Sequence, residues 1–157
     1  MKILYVESNA VVLEDTADLL QNEYPEIQWA FAGGFEEAME LVHGDKPDRA
    51  ITNLRYKGTL EPDVHYLQAS GGADLYKVLH EMGIPVAFCS HENSDEIRRE
   101  LVKRGMGDEF DPTLVYSKSP KQLRELVKKL LTMRAAKKPS PAKGPAFSDG
   151  TPKGGPK

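Results

Sequence analysis

Short apolar stretches alternate with amphipathic segments through most of the chain. Ile3 to Val6 is a continuous apolar run, as expected of a strand buried on both faces of a parallel sheet. Apolar residues then recur at helical spacing up to Tyr24, and Pro25 ends that segment. The alternation predicts four more strands, at residues 27–31, 50–54, 84–89 and 114–116, and four more helices, near residues 38–42, 73–82, 93–104 and 119–131. Five such repeats favour an α/β fold with a doubly wound, five-stranded parallel sheet.

Two of the predicted helices begin with capping signals. Asn93 and Glu96 have the spacing of a capping box. Ser119 precedes Pro120 at the first helical position, and Gln122 follows three residues after the serine. The apolar spacing of this last helix predicts the residues that face the core: Leu123, Leu126, Val127, Leu130 and Leu131.

Two segments depart from the alternation. Residues 55–71 are a long polar connection that holds Tyr56, His65 and Tyr66, and we weigh two interpretations equally: a tolerated surface insertion or a functional lid. Residues 135–157 hold five prolines, four glycines and one large apolar residue, Phe147. This composition predicts a disordered tail behind a domain of residues 1–134. A solvated tail is favoured over a weak basic contact arm.

Charge and hydropathy exclude several classes of function. The tail carries five lysines and one aspartate, which gives it a charge of +4. Because the net charge of the whole chain is −3, residues 1–134 carry a net charge of −7. An acidic body argues against a nucleic-acid partner. No apolar run approaches the roughly 20 residues of a membrane span, and no secretory signal is recognisable. Cys89, the only cysteine, cannot form an internal disulfide, so we expect a cytoplasmic protein without a membrane partner.

Polar residues lie at or just after four of the predicted strands. They are Glu7-Ser8, Asn53, Ser90 and Lys118. In a parallel α/β sheet the carboxyl ends of the strands carry the ligand-binding and reactive groups. These residues are therefore the candidate site. No glycine-rich phosphate-binding motif or GxSxG nucleophile motif is present.

The order and spacing of these residues resemble CheY-like response-regulator receiver domains over residues 1 to about 134. Glu7-Ser8 matches the family's acidic pair after the first strand. Pro47-Asp48 matches the pair before the third strand, which places Asn53 at the phosphoacceptor aspartate. Ser90 matches the Ser or Thr after the fourth strand, and Lys118 matches the lysine after the fifth.

The resemblance implies a degenerate phosphorylation pocket made of Glu7, Ser8, Asn53, Ser90 and Lys118. The neutral amide of Asn53 is a poor nucleophile where the family has a carboxylate. One carboxylate remains of the family's three, so we expect weak or absent magnesium binding and no other cofactor. Without metal, Lys118 is expected to pair with Glu7, and Ser90 to hydrogen-bond Glu7 or Asn53.

This chain also differs from the family at the fifth strand and in the connection that leads to it. The family's switch aromatic stands three residues before the lysine, where this chain has Val115. Tyr116 is one residue later and should point to the other side of the strand. The connection from Gly105 to Lys118 is longer than in the family, so we expect a remodelled surface around the last two helices.

These features lead to one main hypothesis and two alternatives. The main hypothesis is a phosphorylation-independent pseudo-receiver, a non-enzymatic adaptor that binds a protein partner in a bacterial-type signalling or regulatory pathway. The resemblance leaves homodimerisation open. The first alternative is a receiver phosphorylated at another residue, for which Ser8 and Asp63 are the nearby candidates. The second alternative is a small-ligand sensor that uses the modified pocket.

Overall fold

Five parallel strands form one sheet in the order β2-β1-β3-β4-β5. The computed structural model describes residues 1–56 and 69–133. The strands are β1 Lys2–Val6, β2 Gln28–Ala32, β3 Arg49–Thr52, β4 Val86–Cys89 and β5 Val115–Tyr116. The helices are α1 Ala10–Glu23, α2 Phe35–Gly44, α3 Gly71–Glu81, α4 Ser94–Val102 and α5 Pro120–Thr132. The predicted doubly wound parallel sheet is confirmed, with the strand order of flavodoxin-like folds.

Alternate residues of the central strands point into two separate cores. Leu4 and Phe88 join the core beneath α2, α3 and α4. Tyr5 and Ile51 join the core beneath α1 and α5. Because β1 and β3 are covered on both faces, Ile3 to Val6 of β1 and Ala50 and Ile51 of β3 are buried, which explains the continuous apolar run at the N-terminus. Among the described residues, no helix has the length and apolar character needed to span a membrane.

The predicted helix starts at Asn93 and Ser119 are confirmed. Asn93 accepts a hydrogen bond from the Glu96 backbone N–H, and the Glu96 carboxylate accepts one from the Asn93 N–H. Ser119 caps α5 by accepting from the Gln122 N–H at 3.2 Å. The core face of α5 is confirmed at its first four predicted positions, but the prediction for Leu131 is wrong. Its side chain is 38% exposed, because adjacent helical residues point in different directions and the neighbouring Leu130 faces the core.

Several strand and helix boundaries differ from the predictions. β3 ends at Thr52, before the predicted Leu54, and β4 begins at Val86, after the predicted Ile84. Two short 3₁₀ turns, Gly107–Glu109 and Pro112–Leu114, lie in the long connection between α4 and β5. Residues 57–68 and the predicted tail lie outside the described residues, and so do His65 and Tyr66 of the predicted lid or insertion.

The start of α3 is packed backbone against backbone onto the chain that follows β3. The helix predicted near residues 73–82 begins two residues earlier, so that Gly71 and Gly72 both belong to it. The Gly72 N–H donates to the Leu54 carbonyl at 3.0 Å. A Cβ at residue 72 would lie 2.0 Å from the Asn53 carbonyl oxygen. Glycine is therefore required by this close approach, which sets the distance between α3 and the segment that carries Asn53.

We predict that Gly72→Ala destabilises the protein by about 1–3 kcal/mol or more, because the backbone must move to admit the methyl group. Chemical denaturation with urea measures this loss. Gly44→Ala is the matched control, since nothing lies within 4 Å of a Cβ at the end of α2. Equal stability of the two variants would show that the close approach at Gly72 does not constrain α3.

Candidate functional site

Three of the five predicted site residues meet at the carboxyl edge of the sheet. Glu7 follows β1, Asn53 follows β3 and Lys118 lies two residues beyond β5. The Lys118 ammonium lies 2.7 Å from Glu7 Oε1, so the predicted contact between these residues is confirmed. The lysine side chain is 16% exposed and the glutamate side chain 2%. The mouth of the site is thus crossed by an ion pair formed within the chain.

The carboxylate of Glu7 is surrounded by hydrogen-bond donors. Besides Lys118, the Asn9 backbone N–H donates to Oε2 at 2.9 Å. Asn53 Nδ2 lies 3.4 Å from each of the two carboxylate oxygens. A buried carboxylate needs a counter-charge and further donors to offset its lost hydration. Lys118 supplies the charge here, and Asn9 and Asn53 supply the donors.

Contacts of the amide oxygen and the amide nitrogen hold the Asn53 side chain in one orientation. Its amide oxygen accepts a hydrogen bond from the Leu54 backbone N–H at 2.7 Å, while its amide nitrogen faces Glu7. The residue is 8% exposed. The oxygen that would have to serve as a nucleophile or metal ligand is therefore engaged with the backbone. The arrangement uses Asn53 as a donor to a carboxylate.

Ser90 and Ser8 do not join this cluster. We predicted that Ser90 would hydrogen-bond Glu7 or Asn53, and this prediction is wrong: its hydroxyl hydrogen-bonds the carboxylate of Glu92. Glu92 lies two residues further along the chain, and its own N–H points back to the Ser90 hydroxyl at 3.3 Å. This local turn outcompetes a contact across the sheet edge. Ser8 is exposed at the end of β1.

A network of charged side chains adjoins the site, and the sequence analysis missed it. Arg55 lies 3.7 Å from carboxylate oxygens of both Glu92 and Glu100, and it donates to the Ser70 hydroxyl at 2.9 Å. Glu100 also lies 3.4 Å from Arg104, two residues beyond the end of α4. The i, i+4 spacing of this last pair was the available signal in the sequence. The network joins the rim of the site to α4.

The network continues from α4 to α3 through a buried ion pair. Arg104 donates to Asp74 Oδ1 at 2.6 Å, and both side chains are at most 5% exposed. Burial raises the pKa of the Glu100 carboxyl, but the Ser70 hydroxyl and the Lys103 and Arg55 cations outweigh it and hold the pKa below its usual value. The position of α4 is thus fixed by charge pairs that do not involve a phosphoryl group.

Tyr56 belongs to the core and not to the predicted lid or insertion. Its ring is 2% exposed, and its hydroxyl hydrogen-bonds the Thr52 hydroxyl at 2.7 Å. Burial raises the pKa of this phenol far above its usual value, so it stays neutral. A neutral hydroxyl fixed to β3 helps to orient the backbone that carries Asn53.

The residues at the family's switch position lie on opposite sides of β5, as strand alternation predicts. Val115 packs against the core beneath α2, α3 and α4. Tyr116 packs against the core beneath α1 and α5. The side of β5 that faces α4 therefore carries the aliphatic side chain of Val115.

No protein-family model matches the sequence, and no curated protein matches it. Solved structures do match. A CheY-like response-regulator receiver domain from Methanospirillum hungatei is 17% identical, with a TM-score of 0.59 over 83% of this chain and 92% of that one. The non-phosphorylated HemR receiver domain from Leptospira biflexa is 18% identical, with a TM-score of 0.60 over 85% of this chain and 95% of that one.

A third match shows the same fold inside a larger protein. The anti-anti-sigma factor PhyR from Bartonella quintana is 19% identical, with a TM-score of 0.56 over 83% of this chain and 46% of that one. At these identities the matches establish a shared fold. The chain therefore has the fold of CheY-like receiver domains.

We predict that Lys118→Met destabilises the protein by about 3 kcal/mol at neutral pH, because the buried Glu7 carboxylate loses its counter-charge. The double variant Lys118→Met/Glu7→Gln should recover most of that loss, since it leaves no unpaired charge. Urea unfolding of the parent, the two single variants and the double variant gives the four unfolding free energies of this double-mutant cycle. Lys121→Met, at an exposed position of α5, is the control. A Lys118→Met variant as stable as this control would refute the structural role of the pair.

We also predict that Glu100 contributes to the loss of stability in acid. Its pKa is lower in the folded protein than its usual value of 4.5, so the unfolded chain binds the proton more readily. The stabilisation is present above that value and is lost as the pH falls through the folded-state pKa. Glu100→Gln should therefore flatten the fall in unfolding free energy below that value, as measured by urea titrations at a series of pH values. Glu125→Gln, at an exposed position of α5, should keep the parent's slope, and equal slopes in all three proteins would contradict the prediction.

Proposed function

We propose that the chain is a phosphorylation-independent pseudo-receiver that serves as an adaptor for a protein partner in a signalling or regulatory pathway. The observation that carries the proposal is the closed carboxyl edge, where Asn53 stands at the acceptor position and Lys118 is paired with Glu7. In this proposal the degenerate pocket, made of Glu7, Ser8, Asn53, Ser90 and Lys118, is a structural element without catalytic activity.

The chemistry of Asn53 supports a site that is not phosphorylated there. An acyl phosphate forms when an anionic carboxylate oxygen attacks the phosphoryl donor. The amide oxygen of Asn53 is neutral and already accepts a hydrogen bond from Leu54. Transfer to this residue would have to break that bond and use a much weaker nucleophile.

The charge balance of the pocket supports weak magnesium binding. Mg²⁺ gives up its waters reluctantly and favours sites with several carboxylate oxygens. Among the described residues, no group of three or more His, Cys, Asp or Glu side chains is placed to hold a metal ion. A Mg²⁺ ion would also have to displace the Lys118 ammonium from Glu7. Phosphoryl transfer would then lack the cation that neutralises its developing charge.

The charge network on α4 supports an output that does not depend on the pocket. Glu100 and Arg104 are held by Arg55 and Asp74 without any phosphoryl group, so α4 presents one fixed surface. PhyR shows that this fold occurs in a protein named for its part in anti-anti-sigma regulation. We propose by analogy a partner protein that binds the constitutive surface of α4, the following connection and α5, in the cytoplasm.

The exposure of Ser8 supports one alternative function, a receiver that is phosphorylated at a residue other than Asn53. Its hydroxyl is exposed beside Glu7 and is therefore accessible to a phosphoryl donor. Asp63, the other candidate acceptor, lies outside the described residues. Intact-mass measurement after incubation with acetyl phosphate and Mg²⁺ separates the two functions. The adaptor predicts no added phosphoryl group, whereas a phosphorylated Ser8 or Asp63 would favour the alternative.

The proposed function predicts that Asn53→Ala supports normal output in the host cell. This variant has no side-chain group that could accept a phosphoryl group, and it removes only the two long contacts from Nδ2 to Glu7 and the bond to Leu54. The measurement is the phenotype of a strain that carries the variant, compared with the parent and a deletion strain, at matched protein levels. A variant that accumulates normally but behaves like the deletion would overturn the proposal.

A further inference from the structure

The strand β2 forms one lateral edge of the sheet, and within the described ranges it pairs with β1 alone. The Gln28 N–H donates to the residue before β1, and the Ala32 carbonyl accepts from the residue after β1. Backbone groups of alternate residues in a strand point to opposite edges. The N–H and C=O groups of Trp29 and Phe31 therefore point away from β1. They form the outer edge of β2, with two donors and two acceptors directed toward a further strand.

The two lateral edges of the sheet differ in how they are protected. Natural sheets protect an edge by making its strand short or by placing charges in it. The edge strand β5 has two residues, whereas β2 has five, none of which is charged. Trp29 and Phe31 are partly buried, and their rings stack at 6.1 Å between centroids on the face that α1 and α5 cover. β2 thus has the length and the apolar character of a strand that can accept another by strand addition.

The chain around β2 is strongly acidic. Residues 3–45 contain ten Asp and Glu residues and no Lys or Arg. The helices α1 and α2 both pack against β2, one on each face of the sheet. Each carries exposed acids, which include Glu14 and Asp18 on α1 and Glu36 and Glu40 on α2. Charge complementarity at this edge therefore favours a cationic segment and disfavours a second copy of β2, which would bring its own acids.

The helical phase of α1 places two of these acids on the flank beside the outer edge of β2. Glu23 pairs with Arg124 of α5 at 2.7 Å, so this side of α1 faces α5. Because α5 packs against β4 and β5 while α1 packs against β2, the opposite side of α1 faces the outer edge. Glu14 lies nine residues before Glu23, which at about 100° per residue puts it on that opposite side. Asp18 follows Glu14 at i+4 and shares its flank.

We propose that the outer edge of β2 binds an extended, arginine-bearing segment of a partner protein as a further strand of the sheet. Every second side chain of an added strand points to the α1 face and lies beside Trp29 or Phe31. An arginine at such a position places its guanidinium over an aromatic ring and near the carboxylate of Glu14 or Asp18. Arginines at alternate positions therefore match this edge. The main-chain bonds supply affinity, and the alternate side chains supply specificity.

This surface is separate from the one assigned to the adaptor's partner. β2 and β5 are the opposite edges of the sheet, and the connection between α4 and β5 lies at the β5 edge. A protein with both surfaces can hold two partners at the same time. The proposal does not rest on the pocket at Asn53, so its failure would leave the adaptor function in place.

Hydrogen exchange measured by NMR in the full-length protein tests the proposal. The probe is a peptide of about ten residues that alternates arginine with threonine, which favours extended structure, and is blocked at both ends. We expect the Trp29 and Phe31 amides to exchange rapidly in the free protein and to slow in proportion to the bound fraction. The Ala30 and Ala32 amides, which point to β1, should change little. Absence of binding, or binding without slower exchange at Trp29 and Phe31, would overturn the proposal.

Charge reversal on α1 tests the assigned acids. Glu14→Lys/Asp18→Lys should weaken binding of the peptide by about tenfold at low ionic strength, because two attractive contacts become repulsive. The matched control is Glu81→Lys/Glu125→Lys, which changes the net charge equally at exposed positions of α3 and α5 and should keep the parent's affinity. Equal affinities of the two double variants would overturn the assignment.

Two further measurements separate strand addition from other forms of binding. A peptide of the same composition with its arginines in one block should bind more weakly than the alternating peptide. Equal binding of the two peptides would show attraction by net charge alone and would overturn the proposed register. Protection of the Trp29 and Phe31 amides that rises with protein concentration, without peptide, would identify a second copy as the occupant and would overturn the proposed partner.

Discussion

The buried ion pair between Glu7 and Lys118 is the interaction on which the carboxyl edge of the sheet depends. Glu7 is 1% exposed just after the interior strand β1, where an unpaired carboxylate would cost several kcal/mol. Lys118 supplies the counter-charge from beyond the edge strand β5. Since the positive charge comes from the chain, the site is electrically balanced without a metal ion. Asn53 then donates to Glu7 with its amide nitrogen and turns its oxygen to the backbone.

The same edge is connected to α4 by pairs that also need no ligand. The Ser90 hydroxyl hydrogen-bonds the Glu92 carboxylate. Arg55 in turn forms ion pairs with both Glu92 and Glu100. In a switchable domain, the arrival of a charged group would rearrange such contacts, because a ligand shifts an equilibrium only through its differential interactions with the two states. Here each charge already has a partner. The proposed adaptor function follows from a surface held in one arrangement.

Much of this structure could be predicted from the sequence, for identifiable reasons. Apolar runs predicted the strands, and the convergence of parallel strand ends predicted that Glu7 and Lys118 belong to one site. The expectation that the two residues pair came from the resemblance to receiver domains. The error at Ser90 arose because Glu92, two residues away, was not weighed as a local partner. The error at Leu131 arose because two adjacent leucines leave the helical phase ambiguous. Arg55 and Asp74 were missed because their partners depend on how closely α3 approaches β3, a distance that Gly72 sets through backbone packing.

An NMR titration of the labelled protein, first with Mg²⁺ and then with beryllofluoride, tests the central claim most directly. Beryllofluoride mimics a phosphoryl group on an aspartate and binds only where a carboxylate and a metal ion cooperate. The account predicts no saturable shift at the amides of Glu7, Asn53, Ser90 and Lys118 with either addition. Saturable shifts at these residues would contradict it, because they would show that a metal or anion displaces Lys118 from Glu7 and that the pocket can still switch.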